Sequence, residues 1–194
     1  MIMKDFKTLI ASRRSSRQFT KELLSPEQVE AILRAGLMAP TSKNKRPWQF
    51  VVVEEKDMLA KLAECKPAGA AFLADCALAI IVMGNVMESD AWIEDCSIAS
   101  IYMQLQAEDL GLGSCWCQVR GRDREDDGDS ATYVRQLFNI PYQMEVLSII
   151  GFGHKAVTRK PFDEANLAWE KVHIGQYARP TPPQEGAHEC RSFG

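Results

Sequence analysis

Long hydrophobic runs are missing from this chain of 194 residues. The longest, Cys76 to Gly84, is far short of the roughly 20 apolar residues that a membrane-spanning helix needs. Basic charge is not in excess either: a net charge of −3 and a pI near 5.7 argue against general nucleic-acid binding. Histidine is scarce, and His154, His173 and His188 show no ligand spacing; Cys115-x-Cys117 lacks a second pair, so no zinc site is expected. There is no internal repeat, no interior linker and, with Lys4, Asp5 and Lys7 near the start, no signal-peptide core. These absences leave a soluble protein, expected in the cytoplasm, with no metal.

What is present begins with apolar content: 46% of the residues, at a length that favours one domain with a full core. The six cysteines (Cys65, Cys76, Cys96, Cys115, Cys117 and Cys190) are scattered and several sit in apolar runs. That pattern reads as buried thiols of a reducing compartment, not a disulfide frame.

The stretch from Trp92 reads as one long helix to Leu110, stopped by Gly111 and Gly113 and about 28 Å long. Trp92, Cys96, Ala99, Met103, Ala107 and Leu110 form one apolar stripe, and Ile98, Ile101 and Leu105 a second on the far side. Asp95 and Asp109 flank one side, Ser97, Ser100 and Gln104 the other. Two stripes call for two apolar neighbours: the chain's own sheet and a second subunit, or else burial at the centre of a monomer.

Residues 3 to 12 read as a short amphipathic helix that runs into Arg13-Arg14-Ser15-Ser16-Arg17. Guanidinium forks and short hydroxyl donors in this density can grip a phosphate; a solvated basic turn has the same composition. Ser25-Pro26-Glu27-Gln28 is a helix start with cap, first-position proline and capping box. That helix continues to about Met38, where Pro40 stops it. The following APTSKNKRPW offers polar Thr41, Ser42 and Asn44 beside Trp48, suited to a planar heterocycle or to a plain connecting loop. Strands are expected at 49–54, 77–84 and 144–153, with a short strand or extended turn at 114–119. Asp57 is expected to cap a helix to Cys65, and Ser130 a helix to Phe138. Residues 121–130 read as a polar solvent loop. The glycine-bearing exit loop after 153 carries Lys155, Arg159 and Lys160. From 178 the chain is proline-rich, an arm or tail following a domain of residues 1–177.

Four stretches in order, RRSSRQF, APTSKNKRPWQF, DCSIASIYMQLQAEDLGLGSCW and IIGFGHK with its downstream RKPF, resemble the nitroreductase family of flavin enzymes. The resemblance implies an α+β fold with a mixed, mainly antiparallel sheet flanked by helices, and an interlocked homodimer with two FMN sites at its interface. It implies transfer of reducing equivalents from NADH or NADPH through FMN to nitroaromatics, quinones or similar flat acceptors, by ping-pong kinetics. Reductive dehalogenation, flavin fragmentation and non-enzymatic flavin sensing belong to the same fold.

Carried over by position, Arg13, Arg14 and Ser15 would hold the FMN phosphate and ribityl chain, and Arg17 would lie near the N1–C2 edge of the ring. Pro40, Thr41, Ser42 and Asn44 look like the loop given by the other subunit. Cys115, Trp116 and Cys117 resemble the segment whose backbone passes N5. Gly151, Gly153 and His154 resemble the return loop, with Arg159 or Lys160 as a further phosphate contact. No side chain is assigned as a general acid; the chemistry would belong to the flavin. Arg46, where the family often has glutamine, Lys43, the acidic 124–129 excursion and the short chain bear on the substrate more than on the cofactor.

Overall fold

The computed structural model describes residues 5–125 and 128–177. The chain divides into two compact units, one ending at Phe162 and one beginning at Asp163. In the first, α1 (Phe6–Ser12), α2 (Pro26–Leu37), β1 (Trp48–Val53), α3 (Lys56–Ala63), β2 (Leu78–Asn85), α4 (Trp92–Asp109), β3 (Leu112–Gln118), α5 (Ser130–Leu137) and β4 (Met144–His154) follow in order. The second carries short 3-10 turns at Glu164–Asn166 and Trp169–Lys171. The expected arm at 178–194 lies outside the described residues. No helix among the described residues is long and apolar enough to cross a membrane.

The sheet has the order β1-β2-β4-β3, and every strand pair is antiparallel. The expected mixed character is reduced to one isolated parallel bridge, Ser15 with Ser114. β2 is apolar along nearly its whole length because both of its faces are covered. Leu78, Ile80 and Val82 enter one core with Ile32 of α2 and Cys96, Ala99, Met103 and Ala107 of α4. Ala79, Ile81 and Met83 enter the other, with Leu59 and Leu62 of α3 and Ala131 and Val134 of α5. Two helix layers thus enclose one sheet.

α2 begins where its capping box predicts: Ser25 Oγ accepts from the Gln28 amide and Gln28 Oε1 from the Ser25 amide. It packs closely on α4 at Gly36, where a Cβ would stand 2.9 Å from Met103 Cγ. α4 buries the middle of its first stripe completely, with Cys96, Ala99, Met103 and Ala107 all at 0% exposure, while Trp92 and Leu110 at its ends are half-buried. The second stripe is open: Ile98 and Leu105 are half-buried and Ile101 exposed. Leu105 borders a groove shared with Phe6 and Leu9 of α1 and with Met38.

Three sequence expectations need correction. Gly111, at φ +78, ends α4 alone; Gly113 belongs to β3. The cap of α5 is Asp129, whose carboxylate accepts from the Thr132 amide at 2.7 Å, and Ser130 is the first helical residue. Asp57 lies inside α3, which Glu55 precedes without a side-chain cap. Asp95, Ser100 and Gln104 on the flanks of α4 are buried, and the Ser100 hydroxyl turns back to Cys96 O at 2.8 Å.

Candidate functional site

After Ser12 the backbone becomes extended at Arg13, whose N–H still donates to Leu9 O. Ser15 bridges Ser114, and the Ser16 amide donates to Ser114 O at 2.9 Å. This approach requires Gly113, since a Cβ there would lie 2.7 Å from Ser16 Cβ. The chain then passes the end of β4: the Thr20 amide donates to His154 O at 2.9 Å, and the Ala156 amide to Gln18 O at 3.1 Å. The exit loop closes back on α1 through the Phe162 amide to Ala11 O and Arg14 Nη1 to Lys160 O, at 2.8 and 3.1 Å. A basic run that could have been a loose turn is therefore held on both sides by backbone.

Arg14, Ser16, His154, Lys155 and Arg159 line one cavity of about 560 Å³, together with Glu22 and Glu108. A second of about 280 Å³ lies between Arg17, Gln18, Val157 and Arg159. Arg159 and Ser16 belong to both. Of the alternative pair, Arg159 faces the cavities, whereas Lys160 contributes its carbonyl to Arg14. His154 Nε2 is buried without a hydrogen bond, 3.6 Å from Glu22 Oε1.

β3 lies at the sheet edge, and beyond the bridge at Ser114 no strand among the described residues pairs with its outer side. Cys115 and Cys117 turn their thiols into the α3/α5 core, so only their backbone can meet a ligand. Trp116 packs on the α2/α4 side and donates its indole N–H to Gln118 Oε1 at 2.9 Å. Burial pushes the Cys115 thiol up, against the opposing charges of Arg17 and Arg13 and a hydrogen bond with Ser15. Those guanidinium groups thus act on β3 itself. Hydrogen-bonded to Cys117 and buried, the Cys65 thiol is also pushed up.

Gly151, Gly153 and His154 stand within β4, so the return loop starts at Lys155. Both glycines make room for aromatic rings of this same chain: a Cβ would meet Phe72 at 2.8 Å and Phe19 at 2.9 Å, respectively. Close approach of a cofactor is not needed to explain them.

Pro40, Thr41, Ser42 and Asn44 are elsewhere. Their loop is fixed to the first turn of α4, the Ser42 amide donating to Asp95 Oδ1 at 2.8 Å. The cationic segment joins β3 just after the last turn of that helix. From Asp95 to its last residue, Asp109, α4 rises about 21 Å before the chain turns into β3. One chain does not bring the two groups together. The residue types missed from sequence are acids: Asp95 and Glu108 are each almost fully buried at opposite ends of α4. Carboxylates in the first and last turns of an otherwise apolar helix were the available signal.

The profile of the Nitroreductase family matches residues 10–67 and 61–154, which include the cationic segment, the Pro40 loop and all four strands. An Archaeoglobus fulgidus protein provisionally named NADH dehydrogenase/NAD(P)H nitroreductase is 33% identical over 168 residues, covering 84% of this chain and 92% of that protein. The solved structure of an FMN-dependent nitroreductase from Clostridium difficile R20291 superposes with a TM-score of 0.87 at 38% identity, over 89% of this chain and all of the other. Iodotyrosine deiodinase 1 of Rattus norvegicus is 34% identical over 64 residues, 33% of this chain and 22% of that protein. With the sheet order, the tethered cationic segment and a family match across most of its length, this chain belongs to the nitroreductase family.

Proposed function

We propose that this protein is an FMN-dependent oxidoreductase working as a homodimer in the cytoplasm. The observation that carries the reading is the set of Arg14, Arg17 and Arg159 around two adjoining cavities, beside the open edge of β3. The donor set fits FMN: a phosphate needs several cationic forks and short donors, here Arg13, Arg14, Arg159 and the Ser15 and Ser16 hydroxyls. A flat ring needs a backbone edge, here the outer side of Cys115, Trp116 and Cys117. Bound there, FMN would take reducing equivalents from NADH or NADPH and pass them, in alternating half-reactions, to nitroaromatics, quinones or similar flat acceptors.

This chain's residues then bind and orient. Arg13, Arg14 and Arg159 neutralise the phosphate. Arg17 presents positive charge where reduction of the ring leaves negative charge. Ser42 and Asn44, held at the opposite end of α4 in their own chain, serve the partner's site. The open second stripe of α4, with Phe6 and Met38 beside it, supports that pairing.

The purified protein should be yellow and release FMN on denaturation, and it should then turn over NAD(P)H steadily with a quinone. A colourless protein that takes up no added FMN would overturn the reading. Flavin without turnover would leave a sensor. The local likeness to iodotyrosine deiodinase 1 supports a second acceptor class, halogenated phenols, to be assayed beside the quinone.

A further inference from the structure

The loop that carries Ser42 and Asn44 has an unfavourable backbone. Lys43, Asn44 and Arg46 all have positive φ, at 52, 56 and 51°, a region that residues with a Cβ seldom occupy. Such a run persists only where its surroundings over-determine it. Local bonds supply part of the restraint: the Arg46 amide donates to Thr41 Oγ1 and Arg46 Nε to Asn44 Oδ1, each at 3.1 Å. They hold the loop to itself but not to the rest of the protein.

The attachment to the fold is Asp95, 2% exposed in the first turn of α4. Its Oδ1 accepts from the Ser42 amide at 2.8 Å across 53 positions of sequence, and its Oδ2 accepts from the Ser89 hydroxyl at 3.3 Å. The Ala91 amide in turn donates to Ser89 Oγ at 3.2 Å. A carboxylate at this end of a helix is favoured by the helix dipole. Lys45 Nζ adds a contact to Glu88 O at 2.6 Å, but from an exposed side chain.

We propose that Asp95 is a positioning residue of the cofactor site. By holding the Ser42 amide it fixes the Thr41–Asn44 loop on the end of α4, and with it the Ser42 hydroxyl and the Asn44 side-chain amide. It touches no cofactor itself. The proposal rests on the reading of that loop as FMN-binding, and extends it to a residue one layer further in.

The test combines flavin titration of the full-length protein with amide hydrogen exchange. Asp95→Ala should weaken FMN binding about tenfold or more, the usual consequence of losing a hydrogen bond to a charged group. Asp95→Asn, whose amide oxygen can still accept from Ser42, should stay within about threefold of wild type. Combined with Asn44→Ala, Asp95→Ala should add little, because both act through one loop. The Ser42 amide should exchange slowly in wild type, and this reading survives even if Asp95→Ala fails to fold. Wild-type affinity in Asp95→Ala, fully additive losses, or a fast-exchanging Ser42 amide in wild type would each overturn the proposal. A wild-type protein that takes up no FMN but protects Ser42 would instead overturn the functional reading and leave the anchor standing.

Discussion

Lys155 Nζ lies 2.7 Å from Glu108 Oε2, and the two side chains are only 17% and 4% exposed. Glu108 sits in the last turn of α4, where the helix dipole disfavours a carboxylate, so the lysine offsets both burial and dipole. The pair forms one wall of the larger cavity and commits Lys155 to an internal partner. Arg14 and Arg159 then remain as the basic groups of that cavity best placed to meet an anion.

Removing the lysine should therefore act on stability first. Lys155→Met leaves the Glu108 carboxylate buried without its lysine and should cost about 3–5 kcal/mol. The double variant Lys155→Met, Glu108→Leu should recover most of that loss, because an apolar pair of similar size carries no desolvation penalty. Urea midpoints at constant m-value provide the measurement. Equal loss in both variants would mean that the site depends on packing and not on charge.

Arg13→Ala should purify with far less flavin. Loss of one charge-assisted phosphate contact costs about 1.5–3 kcal/mol, or roughly 10- to 150-fold in affinity. A full complement of FMN in that variant would remove Arg13 from the site.

Arg17→Gln should behave differently, because its proposed place is beside the ring. On fully loaded protein the flavin midpoint potential should fall, since the cation favouring the reduced form is gone. Dye equilibration reads this directly, and an unchanged potential would assign Arg17 to binding alone.

The sequence declared the elements whose signals are local. Ser25 through Gln28 wrote a capping box that the structure reproduces, and the unbroken apolar run of β2 reflected a strand covered on both faces. Signals that depend on a distant neighbour were not readable. Gly113 looked like a second helix stop, but its lack of Cβ serves Ser16, nearly a hundred positions earlier. Gly151 and Gly153 looked like loop glycines, yet they accommodate Phe72 and Phe19. The site shows the same division. The arginine cluster announced itself by composition, whereas Asp95 and Glu108 acquire meaning only once Ser42 and Lys155 are brought to them.

Two buried thiols should make the protein sensitive to alkali. Burial pushes both Cys76 and Cys96 up to about 12 from an ordinary 9.0, Asp95 adding to the effect at Cys96. Above pH 9 the unfolded chain loses these protons while the folded chain keeps them, so the folded state binds more protons and stability falls as pH rises. Each thiol contributes up to about 1.4 kcal/mol per pH unit between the two values. The Cys76→Ala, Cys96→Ala variant should show a shallower decline than wild type between pH 9 and 11, whatever its stability at pH 7. Parallel curves from urea melts would refute the assignment.

The composite site is open to a complementation test. The Ser42–Asn44 loop is fixed at one end of α4 and the Arg13–Arg17 segment beyond the other, so a single chain holds its two half-sites at opposite ends of that helix. Two chains paired along the open stripe of α4 in opposite directions would bring each loop to the other's arginines. Take one protein with Arg13→Ala and Arg17→Ala, and another with Ser42→Ala and Asn44→Ala. Each homodimer should bind FMN poorly, because both of its sites carry one damaged half. A mixed dimer, co-expressed and isolated through two different tags, gathers all four substitutions in one site and leaves the other intact. It should recover up to half of the wild-type flavin content and activity. If each chain instead completed its own site, both sites of the mixed dimer would be damaged and nothing would be recovered. Absence of recovery in a dimer shown to contain both tags would therefore overturn the shared site, even with FMN bound to the wild-type protein.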